Sequence, residues 1–286
     1  MANLPYGYGD SEMTTETISP PELSTLRIEV DGQIGTLTLD RPESFNAMSP
    51  EMILDLGTAF AWLADQAPLR ALIVTGAGKA FCSGGDINGF KAGVEDDSID
   101  LPAQVRRGAE ALHTAIVDLR RIPYPVICAI NGPAAGAGFS LALACDIRIV
   151  SEQAFLACAY GRIGASPDGG MTYFLPRVVG PSRALEILLE DPNLTPEEAL
   201  EEGLVSEVVA PDDLMDIARA KAEKLAAKAP HYVKMAKRLC GVSVENSITE
   251  HLQLERHGIA DSMATEDLRE GAIAFFSGEK PEFKGR

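Results

Sequence analysis

Apolar and polar positions first fall into a strand-like rhythm at Leu26 to Val30 and again at Gly35 to Leu39, on either side of Asp31-Gly32. Two such runs around an Asp-Gly turn predict a β-hairpin feeding a sheet. The period then lengthens. Ser49-Pro50-Glu51 sets a cap residue before a proline, and Met52, Leu54, Leu56, Phe60 and Leu63 follow at near-helical spacing, which predicts a helix. Leu72-Ile73-Val74 reads as a short buried strand closed by Gly76-Ala77-Gly78. The stretch from Phe90 to Pro102 is polar and acidic without clean periodicity, and is expected to be a mobile surface loop. A helix is predicted from about Gln104 to Arg121, ending before Pro123 and Pro125, and Val126 to Ile130 forms the next buried strand, stopped by Asn131-Gly132. After a small-residue helix come strands at Asp146 to Val150 and Ala154 to Cys158. Strands alternating with helices imply an α/β core with largely parallel pairing.

From about Asp212 the strands cease, and Ala/Lys/Glu/Leu-rich segments at helical period run almost to Gly278. The expected division is a disordered leader over 1–24, a core over 25–210 and a C-terminal helical region over 211–286. Leu225, Val233, Leu239, Leu252, Leu254 and Ile259 are more apolar side chains than a small helical region can bury by itself, which points to packing against other subunits.

Composition narrows the function classes. The net charge of −17 over 286 residues, with no Lys/Arg run and no basic stripe carrying aromatics, argues against nucleic acid as a partner. The longest apolar runs are far too short to span a bilayer, so no membrane role is expected. Met1 to Ile18 has neither the basic start nor the apolar stretch of a secretory signal. Five cysteines, none in a Cys-x-x-Cys or Cys/His ligand spacing, suit a reducing cytoplasm and argue against a bound metal. No Gly-x-Gly-x-x-Gly turn follows the first strand and no Walker-type lysine is present, so no nucleotide cofactor is expected.

Three loops hold the residues capable of chemistry. Lys79 to Ile87 contains Ser83-Gly84-Gly85-Asp86, where adjacent glycines permit a tight bend and leave backbone N–H groups free to face an oxygen. Asn131 to Ser140 opens a helix directly after a buried strand, and the first N–H groups of a helix favour a developing negative charge. Tyr160 to Thr172 sets one carboxylate, Asp168, between Pro167 and two glycines. Read singly, each has a plainer meaning: a strand-to-helix turn with Asp86 as brace, tight helix–sheet packing, and an Asp N-cap.

Taken together the loops resemble the crotonase (enoyl-CoA hydratase/isomerase) superfamily. The resemblance covers about Leu26 to Arg286, since Arg41-Pro42-Glu43-Ser44-Phe45-Asn46-Ala47 is similar to that family's CoA-side segment and Pro281 to Arg286 to its tail. It implies a ββα spiral core of two roughly perpendicular sheets with a C-terminal helical oligomerisation region, and assembly as a homotrimer or hexamer. It also implies an acyl-CoA thioester as substrate, with coenzyme A entering as part of that substrate and no separate cofactor. The oxyanion hole would be the N–H groups of Ser83 and Ala137. Phe45, Ala47, Gly84, Gly85, Asp86 and Ile87 would lie along the substrate, with Phe139, Ser140, Tyr160 and Ile163 around the acyl group and Lys284 at a phosphate.

The resemblance also bears on the reaction. Family hydratases add water with two glutamates, and this chain has Ser140 and Tyr160 at those positions. Neither supplies a carboxylate base, and an ordinary phenol, with a pKa of ~10, is a poor base near neutrality. Asp168 stands where the chain resembles enoyl-CoA isomerases of the phenylacetate-pathway type, so isomerisation by Asp168 is the expected reaction. Family dehalogenases use an Asp here as nucleophile with a His to activate water, and His113 falls in the matching stretch. That rival lacks the Trp expected at Tyr160, and a His on such a helix reads more readily as a packed, satisfied residue. A degenerate, non-catalytic acyl-CoA-binding chain is the third reading.

Overall fold

The computed structural model describes residues 19–96 and 98–286, so most of the expected leader lies outside the described residues. In chain order the elements are β1 (Leu26–Asp31), β2 (Ile34–Leu39), α1 (Pro50–Asp65), β3 (Ala71–Gly76), α2 (Asn88–Glu95), α3 (Leu101–Arg121) and β4 (Val126–Ile130). Next come β5 (Ala134–Ala135), α4 (Ala137–Ala144), β6 (Ile147–Ser151), β7 (Leu156–Ala157), α5 (Met171–Val179), α6 (Pro181–Glu190), α7 (Pro196–Glu201) and β8 (Glu207–Val209). The chain closes with α8 (Leu214–Ala226), α9 (Pro230–Val242), α10 (Ile248–Met263) and α11 (Glu266–Ser277). One six-stranded sheet has the order β1-β2-β3-β4-β6-β8, and β5 and β7 form a second, two-stranded parallel sheet. Only the β1–β2 hairpin of the large sheet is antiparallel.

Side-chain alternation along the parallel strands fills two cores. On one face Leu37, Leu72, Val74, Val126, Cys128 and Ile130 pack with Met52, Leu56, Phe60 and Leu63 of α1 and Leu112, Ile116 and Leu119 of α3. On the other, Ile73, Ile127, Ala129 and Ile149 meet Leu214, Ala218 and Ala222 of α8. With both faces covered, β4 is buried at all five positions, which is why it reads as an unbroken apolar run. The first helix after Asp212 thus closes the sheet.

Local signals account for the ends of α1. The Ser49 hydroxyl accepts the Met52 N–H at 3.3 Å, with Pro50 in the first turn. The stretch expected to be a loop from Phe90 to Pro102 departs from expectation: α2 occupies Asn88–Glu95, and α3 begins at Leu101, three residues earlier than the periodicity suggested. Asp100 caps α3 by accepting the Ala103 N–H at 3.0 Å, with Pro102 inside the first turn. That start signal was present in the sequence but was masked by the acidic run around it.

Farther on, α9 is held to the body by Lys237, whose ammonium reaches the Asp146 carboxylate at 2.6 Å and the Tyr124 carbonyl at 2.7 Å. The tail is clamped by buried Asp267, which accepts the N–H groups of Lys284 (2.6 Å) and Gly285 (2.8 Å). Among the described residues no helix is long and apolar enough to cross a membrane, and no group of three His, Cys, Asp or Glu side chains is placed to hold a metal ion.

Candidate active site

The first loop leaves the end of β3 and is stapled by two asparagines. Asn46 donates to the Ala77 and Ala80 carbonyls at 2.9 and 2.8 Å and accepts the Arg41 N–H at 2.9 Å. Asn131 accepts the Gly76 N–H at 3.1 Å and donates to the Gly78 carbonyl at 3.1 Å. Neither asparagine was singled out for this work in the sequence. The available signal was an Asn beside a Gly at a strand end and an Asn able to adopt the left-handed backbone, where Asn46 has φ 55°.

The loop then packs edge to edge with β5, just ahead of α4. The Ala135 N–H donates to the Cys82 carbonyl at 2.9 Å, and the Cys82 N–H donates to the Pro133 carbonyl at 3.2 Å. Gly84, at φ +103°, lies where a Cβ would be 2.9 Å from the Ala135 carbonyl oxygen. Such approach is open only to a residue without a side chain. Between the loops the Cys82 thiol is pushed up to about 12 by burial, so it stays a thiol near neutrality and is no nucleophile.

Two amides were expected to face the thioester oxygen, and the structure finds them in different states. Among the described residues the Ala137 N–H, first in α4, meets no acceptor. The Ser83 N–H donates to the Phe45 carbonyl at 3.0 Å. That carbonyl is turned inward because Phe45 itself is left-handed, with φ 52°.

Helix α4 also joins the second loop to the third. Ser140, three residues after Ala137 and therefore on the same face of α4, is fully buried and donates to the Asp168 main-chain carbonyl at 2.9 Å. The Tyr160 hydroxyl lies 3.0 Å from the Ser140 hydroxyl and donates to Asp168 Oδ1 at 2.8 Å. Burial, and then the charge of Asp168, push the Tyr160 phenol well above its ordinary range, so it remains protonated. On the far side His113 of α3 accepts the Gly169 N–H on its Nε2 at 3.3 Å. His113 is exposed rather than packed, and with Arg106, Glu110, Thr114 and Val117 it lines a groove of ≈ 640 Å³ along α3. Arg106 and Glu110 went unnoticed in the sequence, where only their helical register with His113 marked them.

Other expected residues are placed variously. Phe45, Ile87 and Ile163 are exposed around the loops, Gly84 and Gly85 form the bend, and Ala47 is buried beside it. Phe139 is fully enclosed in the main core behind the second loop and does not project toward a ligand. Asp86 is spent on bracing: it pairs with Arg41 at 3.2 Å and accepts the Asn88 N–H at 3.2 Å. Lys284 is not brought to the site within one chain. Its neighbour Phe283 gives its carbonyl to Arg70, which precedes β3, whereas the loops follow the other end of that strand, roughly 20 Å away. The tail instead borders a second cavity of ≈ 710 Å³ with Gln33, Arg70 and Arg219.

Residues 29–286 match the family described as Enoyl-CoA hydratase/isomerase. The chain belongs to that family. It is 35% identical over 257 residues to the 1,2-epoxyphenylacetyl-CoA isomerase of Escherichia coli, covering 90% of this chain and 97% of the relative. It is 36% identical to a probable enoyl-CoA hydratase of Rhodobacter capsulatus (92% of this chain, 98% of the relative). Identity to the carnitinyl-CoA dehydratase of Proteus mirabilis is also 36% (92% and 99%). Among solved structures, a putative enoyl-CoA hydratase from Streptomyces coelicolor superposes with a TM-score of 0.88 at 32% identity, over 96% of this chain and all of that one. The fold is therefore the crotonase fold. The relatives' names divide among isomerase, hydratase and dehydratase, so family membership establishes the enzyme class and its acyl-CoA chemistry but not the individual reaction.

Proposed function

We propose that this family member is an acyl-CoA isomerase that shifts a double bond in an unsaturated acyl-CoA thioester, with Asp168 carrying the proton. The observation supporting this is the placement of Ser140 and Tyr160: the two positions expected to bear hydratase glutamates hold hydroxyls that lie 3.0 Å apart and each donate to Asp168. One carboxylate remains at the meeting point of the loops, and one carboxylate suffices for proton transfer.

In the proposed cycle, ionised Asp168 removes a proton from the carbon next to the thioester carbonyl of a β,γ-unsaturated acyl group. The electron pair spreads over the dienolate and gathers on the thioester oxygen, which is held by the Ala137 amide, unpaired among the described residues. Loss of one such donor typically costs ~2.7–4 kcal/mol. The protonated Asp168 then returns the proton to the γ carbon, giving the conjugated thioester with no net uptake of water. Coenzyme A enters as part of the substrate, and no further cofactor takes part. The five free cysteines, four of them buried, suit the cytoplasm as the place of work.

The dehalogenase-like alternative needs His113 to take a proton from water. His113 Nε2 is already an acceptor for Gly169, which counts against that role at this nitrogen. The test is turnover of β,γ-enoyl-CoA in deuterated water, followed by absorbance and mass. Native protein is expected to form the conjugated product with label confined to the acyl carbons, and Asp168→Asn to lose ~10²–10⁴-fold in kcat. An ester of the acyl group on Asp168 after a single turnover would overturn the reading in favour of the nucleophilic one.

A further inference from the structure

We infer that Tyr160 is a positioning residue that divides the labour of the Asp168 carboxylate, pinning Oδ1 so that Oδ2 alone carries the proton. This rests on the proton-transfer reading above and removes Tyr160 from the residues expected to touch the acyl group.

The hydrogens can be counted. Tyr160 has one hydroxyl hydrogen and three acceptors in reach: Asp168 Oδ1 at 2.8 Å, the Asp168 carbonyl at 3.2 Å and the Ser140 oxygen at 3.0 Å. Ser140 has one hydrogen, with the Asp168 carbonyl at 2.9 Å and the Gly136 carbonyl at 3.3 Å. The shortest assignment sends the Ser140 hydrogen to the Asp168 carbonyl and the Tyr160 hydrogen to Oδ1. Ser140 thereby holds the backbone of Asp168 while Tyr160 holds its carboxylate. Among the described residues Oδ2 receives no donor, so it is the oxygen free to meet a substrate carbon.

The phenol suits this role because burial and the neighbouring carboxylate keep it protonated, a donor throughout the working range. A donor at Oδ1 favours the ionised carboxylate. It also stops the protonated carboxyl from turning its hydrogen toward solvent between abstraction and return. The other titratable or charged groups around the loop are His113 on α3, Arg106 and Glu110 on the same face of α3, and Arg162, which pairs with Asp191 at 3.2 Å.

The experiment is a pair of opposed changes at position 160, with kcat measured against pH on the β,γ-enoyl-CoA substrate. Tyr160→Phe removes the donor, so the acid limb is expected to move to higher pH. In that variant kcat falls by up to about 10²-fold while KM stays within roughly twofold. Site-specific 3-fluorotyrosine at 160 keeps ring and hydroxyl but makes a stronger donor, so its acid limb is expected to move to lower pH. It also serves if Tyr160→Phe fails to fold. With substrate deuterated at the carbon next to the carbonyl, Tyr160→Phe is expected to deliver less of that label to product. A purely packing role would not move the limb in opposite directions. Acid limbs that overlie the native profile in both variants, with unchanged label retention, would overturn this inference while leaving the isomerase reading intact. Undiminished activity of Asp168→Asn would instead remove the reading beneath it.

Discussion

Gly138 lies one residue into α4, where a Cβ would enter the space of the Cys82 carbonyl oxygen and stand 2.7 Å from the Cys82 side chain. The neighbours are backbone and a buried thiol, which have little room to yield. Gly138→Ala is therefore expected to cost roughly 1–3 kcal/mol of stability, read from denaturant unfolding, by overpacking. The same displacement moves the Ala137 amide away from the first loop. A misplacement near 1 Å costs on the order of 10²-fold in rate, so kcat is expected to fall further than the stability loss explains. An alanine variant with native stability and turnover would show that the loops are not held by this contact. At this scale the family pattern let the sequence single out Asp168 as the candidate base and show that positions 140 and 160 carry no glutamate. It did not reveal that Ser140 and Tyr160 both bond to Asp168, since the chain separations of 28 and 8 residues carry no sign of contact. Nor did it reveal the Phe45 carbonyl on the Ser83 amide, which depends on a left-handed Phe that no motif requires.

Helices and strands were legible wherever burial imposed a period: the hairpin, α1 and β4 stand close to where the apolar pattern set them. Exposed elements were less so. In α2, an eight-residue helix with two glycines, the local pattern is too weak to distinguish from a loop, and among its described side chains Lys91 and Val94 lie in solvent. The attachment of α9 could not be seen either, because it depends on one carboxylate far away in the chain. Asp146 at the foot of β6 accepts Lys237 of α9, Arg120 of α3 and the Val126 N–H of β4. Asp146→Ala leaves two cations facing each other in a mostly buried place. The expected cost is on the order of 3 kcal/mol, measured as a lower midpoint in urea. Hydrogen exchange should then rise along α9 before it rises in the sheet. Uniform loss of protection would mean that α9 is held by its contact with α10 instead.

Across the whole molecule, the apolar residues of the C-terminal helices divide into three sets, with Val233, Leu239 and Leu254 half-buried between the other two. Leu225 packs against the second core, whereas Leu252 and Ile259 of α10 and Ile273, Phe275 and Phe276 of α11 stand largely in solvent. Phe275 and Phe276 are 82% and 86% exposed, with rings 5.6 Å apart in an edge-to-face pair. A chain with net charge −17 resists unspecific association, so an apolar face on it calls for a specific cover. We propose that further copies of the chain provide it, in a homotrimer or hexamer. Native protein is expected to sediment at micromolar concentration as three or six times 30.5 kDa. Fully burying one Phe is worth roughly 1.5–3 kcal/mol, and a closed ring repeats the contact in every copy. Phe275→Ser with Phe276→Ser is accordingly expected to move the population toward monomer at the same concentration. The variant's monomer should keep its far-ultraviolet helix signal, because neither ring contributes to the core of its own chain. A double variant that sediments like the native protein would place the subunit contact elsewhere on the surface, and a native protein that sediments as a monomer would remove the oligomer altogether.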